Sequence, residues 1–122
     1  MIGVDTGFFF ALAEGHPLAV AAYRESDVMA SVLTRFELRR IALRRGVPWE
    51  KVGSPLSRSV HFVEVTGAVA DQAAAISHGT GLPALDALIL AGLLASGCRT
   101  IYTKDEHFSR FSREGVEIIL LR

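Results

Sequence analysis

Short apolar runs alternate along the chain with segments whose apolar residues recur at helical spacing. Ile2-Gly3-Val4 is the first such run, and it stops at Asp5. Thr6 to Ala13 then reads as a helix, and Pro17 opens a second that extends to about Glu25. Val28-Met29-Ala30 forms a second strand. Ser31 stands where an N-cap belongs, ahead of a helix carrying Leu33, Phe36, Ile41 and Leu43 and stopped by Gly46. Pro48 is expected to open a further helix running to about Ser57. Val60 to Val65 is a third strand, followed by a helix of Val69, Ala73 and Ile76 that Thr66 caps and Gly79 ends. Pro83 introduces an almost wholly apolar helix, Leu85 to Ala95, closed by Gly97. Thr100-Ile101-Tyr102 makes a fourth strand, a short helix holds His107 to Phe111, and Val116 to Leu121 is the last strand. Strands separated by helices throughout predict an α/β fold, a parallel sheet with helices on both faces.

Composition narrows the picture. The 122 residues suit one domain over 1–122, since no stretch reads as a linker and half of the residues are hydrophobic. The 13 basic and 13 acidic residues exclude charge-driven disorder and a globally basic nucleic-acid coat. Eleven of the basic residues are Arg, the better side chain for forked contacts to phosphate or carboxylate. Cys98 stands alone, which excludes an internal disulfide framework and a multi-cysteine zinc site. The longest apolar stretch, Leu82 to Gly97, contains Asp86 and is short for a bilayer, and no basic leader opens the chain. A cytoplasmic protein without a membrane span is therefore expected.

The acids carry the candidate chemistry. Ligands of open parallel sheets bind beyond the carboxyl ends of the strands. Asp5 ends the first strand, and Asp105, with Thr103, lies just past the fourth. Asp86 occupies the first turn of the apolar helix, and Glu37 falls on the row Leu33, Glu37, Ile41 with Phe36 beside it, which places it toward the apolar side. Singly, Asp5 and Asp105 are accounted for as helix caps and Asp86 as a favourable charge at the positive end of a helix dipole. Glu37 demands a partner, because a carboxylate on an apolar row is costly alone. If the four converge, their repulsion must be relieved by protonation or by a cation. Oxygen donors of this kind suit a hard divalent ion such as Mg²⁺ or Mn²⁺. Such an ion binds a phosphodiester oxygen and lowers the pKa of its water, which is the chemistry of a metal-dependent nuclease or phosphatase.

Four segments in series resemble the PIN-domain family, in particular the VapC-type toxin ribonucleases of VapBC toxin–antitoxin pairs. They are Ile2-Gly3-Val4-Asp5-Thr6, Ser31-Val32-Leu33-Thr34-Arg35-Phe36-Glu37-Leu38, Leu85-Asp86-Ala87-Leu88-Ile89-Leu90-Ala91 and Thr103-Lys104-Asp105-Glu106-His107-Phe108. The resemblance implies a three-layer fold with a five-stranded sheet of order 3-2-1-4-5. It assigns Asp5, Glu37, Asp86 and Asp105 as the catalytic and Mg²⁺- or Mn²⁺-binding set, with Thr103 and Thr6 in support. It further implies an RNA substrate cut to 5′-phosphate and 3′-hydroxyl ends, a homodimer, and silencing by a VapB-type antitoxin.

Other features have plain explanations beside the functional ones. Arg35, Arg39, Arg40, Arg44 and Arg45 share one helix, where they form a solvated face or a track for RNA or an antitoxin; Lys104, beside Asp105, either meets substrate or points to solvent. His16, His61, His78 and His107 lack ligand spacing, so a histidine metal site is not expected. Trp49 is read as packing or as part of a partner surface, and Phe8-Phe9-Phe10 as core with one ring left for an interface. Ile2-Gly3-Val4-Asp5-Thr6-Gly7 is also similar to the first phosphate motif of actin-like sugar kinases, but the chain is too short for their two lobes. Gly7 replaces the second Asp of aspartyl-phosphate phosphatases, the third strand lacks a receiver's acceptor Asp, and no phosphate loop is present. Two alternatives stay open: a PIN-fold binding module for RNA or protein, and a PIN nuclease of RNA processing or DNA repair without an antitoxin.

Overall fold

A computed structural model describes all 122 residues. Its sheet has five parallel strands: β1 (Ile2–Val4), β2 (Val28–Ser31), β3 (Val60–Val63), β4 (Thr100–Thr103) and β5 (Glu117–Leu120). Their order is β3-β2-β1-β4-β5, as the resemblance implies. Because the order reverses at β1, the ends of β1 and β4 lie side by side, with Val4 opposite Tyr102. This is the switch point where a crevice opens.

Helices α1 (Thr6–Ala13), α2 (Pro17–Glu25), α3 (Val32–Arg45) and α4 (Gly53–Ser59) cover one face. Helices α5 (Gly67–Thr80) and α6 (Ala84–Ala95) cover the other. Alternation along the strands feeds both layers. Ile2, Val4, Val28 and Ala30 join Phe8, Phe9, Ala19 and Leu38 beneath α1–α3, whereas Ile101 joins Leu90, Leu93 and Phe108 beneath α6. Gly3 is required where α6 crosses β1: a β-carbon there would stand 2.8 Å from Ile101 Cδ1 and 3.1 Å from Leu93 Cδ1. No helix is long and apolar enough to cross a membrane.

The caps read from sequence are present. Ser31 Oγ accepts the Leu33 N–H at 3.1 Å, Thr66 Oγ1 accepts that of Val69 at 3.1 Å, and Gly46 stops α3 at φ 66°. Three segments differ from expectation. The helix expected from Pro48 to Ser57 is a 3-10 turn, Trp49–Lys51, followed by α4. Pro55 explains the break, since its ring cannot follow a continuous helix but fits the first turn of a new one. The third strand ends at Val63 rather than Val65, and the segment after β4 is a 3-10 helix, Glu106–Arg110.

Candidate functional site

The carboxyl ends of β1 and β4 open into a cavity of about 760 Å³. Asp5, Glu37, Asp86 and Asp105 all line it, and Ile89 is its single apolar lining residue. The four acids come from four separate elements: the end of β1, the second turn of α3, the first turn of α6 and the turn after β4. Capping and cavity position coexist. Asp5 Oδ1 accepts the Phe8 N–H at 3.0 Å and so starts α1, while Asp105 Oδ1 accepts the His107 N–H at 2.8 Å and starts the 3-10 helix.

Two hydroxyls hold three of the four acids in place. Thr103 is fully buried; its Oγ1 donates to Asp5 Oδ2 at 2.5 Å and accepts the Asp105 N–H at 2.9 Å. One side chain therefore fixes two acids from adjoining strand ends. The Thr6 hydroxyl donates to Glu37 Oε1 at 2.5 Å, and Thr34 Oγ1 lies 3.1 Å from it. Since Thr6 has one proton, committed to the carboxylate, buried Thr34 supplies the proton of the second bond. Glu37 sits at the edge of the packed face rather than on it. The buried row of α3 is Thr34, Leu38 and Ala42, and Phe36 is 57% exposed, so the expected apolar surroundings of Glu37 and Phe36 are corrected.

The electrostatics show four acids in one field. Asp5 is pushed up to about 6, chiefly by burial, with the bonds from Thr103 and Phe8 opposing the shift and the charges of Asp86 and Asp105 adding to it. Burial likewise pushes Asp86 up to about 6, reinforced by Asp105 and Glu37. Carboxyl groups so displaced are relieved by a cation or by a proton. The donor set fits a hard divalent ion. Oxygens of Asp86 and Asp105 and a ring nitrogen of His107 all lie within 4.8 Å of one another.

His107 enters unexpectedly, because its Nδ1 lies 3.1 Å from Asp105 Oδ1, a proximity that linear ligand spacing does not reveal. Glu106, Ser109 and Arg110 also line the cavity and were not singled out in the sequence. All follow Asp105 in the 3-10 helix, whose tight turn fans successive side chains onto the rim. Lys104 both lines the cavity and meets Glu14, with Nζ to Oε2 at 3.5 Å. Arg35, Arg39 and Arg40 do not line it. Of the three phenylalanines in α1, Phe8 and Phe9 are buried and Phe10 is half-buried beside an apolar groove.

The chain belongs to the PIN domain family, whose pattern matches residues 2–114. Solved structures of the same fold include a toxin–antitoxin complex from Klebsiella pneumoniae, with TM-score 0.80 and 18% identity, covering 100% of this chain and 98% of that one. VapC20 of Mycobacterium tuberculosis, a toxin that cleaves the sarcin–ricin loop, aligns with TM-score 0.70 and 23% identity over 96% of this chain and 99% of its own. VapBC2 of Rickettsia felis, bound to a DNA fragment from its promoter, gives 0.74 and 14% over the whole of both chains. Among curated proteins no sequence match is found.

Proposed function

We propose that the chain is a single PIN domain over residues 1–122 acting as a Mg²⁺- or Mn²⁺-dependent endoribonuclease of the VapC toxin type. The observation that carries this reading is the convergence of Asp5, Glu37, Asp86 and Asp105, with two of them pushed up to about 6, on one polar cavity. In the proposal Asp5, Asp86 and Asp105 hold the metal, and His107 is a further candidate ligand through its place beside Asp105. When bound, the ion would lower the pKa of a water and take up charge on a phosphodiester oxygen.

The chain's own residues set the stage for that chemistry. Thr103 keeps Asp5 and Asp105 turned into the cavity, and the Thr34–Thr6 chain aims Glu37 at the position from which an attacking water is oriented. Lys104 and Arg110 supply positive charge at a rim otherwise dominated by acids, which favours docking of phosphate there. The toxin–antitoxin neighbours support a VapB-type antitoxin as partner; a cytoplasmic site of action and a homodimer as the working assembly complete the proposal.

The test is incubation of labelled single-stranded RNA and tRNA with the protein in Mn²⁺ and in EDTA. Cleavage in Mn²⁺ alone, leaving 5′-phosphate ends, is expected. Binding of RNA without cleavage in any divalent ion would instead favour a binding module.

A further inference from the structure

Helix α3 presents two different edges. Glu37 faces the acid cavity, while Arg35 and Arg39, two residues either side of it, point about 200° round the helix. There they meet the only tryptophan of the chain. Arg35 Cζ lies 5.8 Å from the centre of the Trp49 ring and 5.4 Å from that of Phe62, and Arg39 Cζ lies 5.2 Å from Trp49. Trp49 is held firmly: a β-carbon on Gly53 would stand 2.2 Å from its indole atoms, so the ring rests on bare backbone. Arg35 is held too, its Nη1 donating to Ser57 Oγ at 3.1 Å. Val32, Arg35, Phe36, Arg39 and Trp49 line a separate opening of about 400 Å³, inside the size range of small-ligand pockets.

Three facts say that this surface takes an anion with a flat ring. Neither guanidinium has a carboxylate partner, since the ion pairs of the chain are Lys104–Glu14 and Asp105–His107. Arg35 and Arg39 stand four apart on the helix, where like charges repel until an anion neutralises them. Beside them the exposed ring of Phe36 offers a free aromatic face, of the kind nucleobases use regardless of sequence. A purely acidic peptide, without apolar or aromatic side chains, would satisfy the arginines and leave the Phe36 ring uncovered.

We infer that the Arg35–Trp49–Arg39 surface is a binding platform for single-stranded RNA, with a base stacked on the Phe36 ring and phosphates held by the guanidiniums that Trp49 seats. The inference rests on the ribonuclease reading and extends it, leading the substrate strand across α3, about 10 Å wide, from the acid cavity.

As the sole tryptophan, Trp49 reports on its own site. The wild-type protein in EDTA, which blocks metal-dependent cleavage, is titrated with an unstructured RNA 12-mer while indole emission is read. Saturable quenching is expected below about 100 μM, the weak end of non-specific nucleic-acid affinity. Arg39→Ala should reduce the salt slope of binding by about one. Phe36→Ala should weaken binding, read by anisotropy of the labelled RNA, roughly 5- to 150-fold. Phe36 and Arg39 are both exposed, so both variants are expected to fold. Absence of quenching up to that concentration overturns the inference, as does an equal response to polyglutamate, which would mark an acidic-protein site. Metal-dependent cleavage without quenching would leave the nuclease standing and remove the platform; quenching without any cleavage would do the reverse.

Discussion

Replacing Asp5 by Asn should make the metal-free protein more stable at neutral pH and not at acidic pH. Asp5 is 6% exposed, and burial, with Asp86 and Asp105 adding to it, lifts its carboxyl from 3.8 to about 6. A folded-state value above the unfolded one means that the protonated acid favours folding. That benefit is complete below pH 3.8 and is lost as the pH rises through about 6. The shift corresponds to about 3 kcal/mol between those limits, which the ionised acid costs the fold at about pH 8. An asparagine carries no charge, and its oxygen still accepts the Phe8 N–H. It cannot accept the Thr103 proton on its amide nitrogen, a loss of about 1 kcal/mol. The variant should therefore gain about 2 kcal/mol near pH 8 and lose about 1 kcal/mol near pH 4. Urea denaturation in EDTA at the two pH values measures both. A variant with the same pH dependence as the wild type would refute the claim that Asp5 is ionised at a cost.

The same electrostatics set further outcomes. Mn²⁺ at a hundredfold excess over its Kd should raise stability by about 3 kcal/mol, roughly 10 °C in Tm. Scanning calorimetry should show that gain fading as the pH falls through about 6, where Asp5 and Asp86 take up protons. Thr103→Val, which keeps the shape but removes the hydroxyl shared by Asp5 and Asp105, should lower Mn²⁺ affinity about 10- to 100-fold by titration calorimetry. Thr103→Ser should restore most of it. Gly3→Val should cost at least about 1–3 kcal/mol in urea denaturation, because the added carbons enter space held by Ile101 and Leu93.

Much of the fold was legible because its elements announce themselves locally. Ser31, Thr66 and Gly46 marked helix ends by side-chain and backbone chemistry that needs no tertiary partner. Pro55 carries the local signal that splits the segment after Pro48. The strand order could not be read from periodicity, since pairing between β1 and β4 joins residues about a hundred positions apart; it followed from resemblance alone. At the cavity, Asp5 and Asp105 were legible as acids at strand ends. His107, Glu106 and Arg110 were not, because their approach depends on the 3-10 turn after Asp105, which a helix-period reading misplaces. The surroundings of the row containing Glu37 are not legible for a similar reason. Which side of α3 is covered depends on α1 and on the sheet, not on the helix itself.

The most direct measurement of the central claim compares RNA cleavage by wild-type protein in Mn²⁺, by the same protein in EDTA, and by folded Asp5→Asn protein in Mn²⁺. The account predicts cutting in the first reaction and none in the other two. Cleavage by the Asp5→Asn protein at the wild-type rate would contradict it, because no remaining arrangement of the cavity assigns the reaction to that acid.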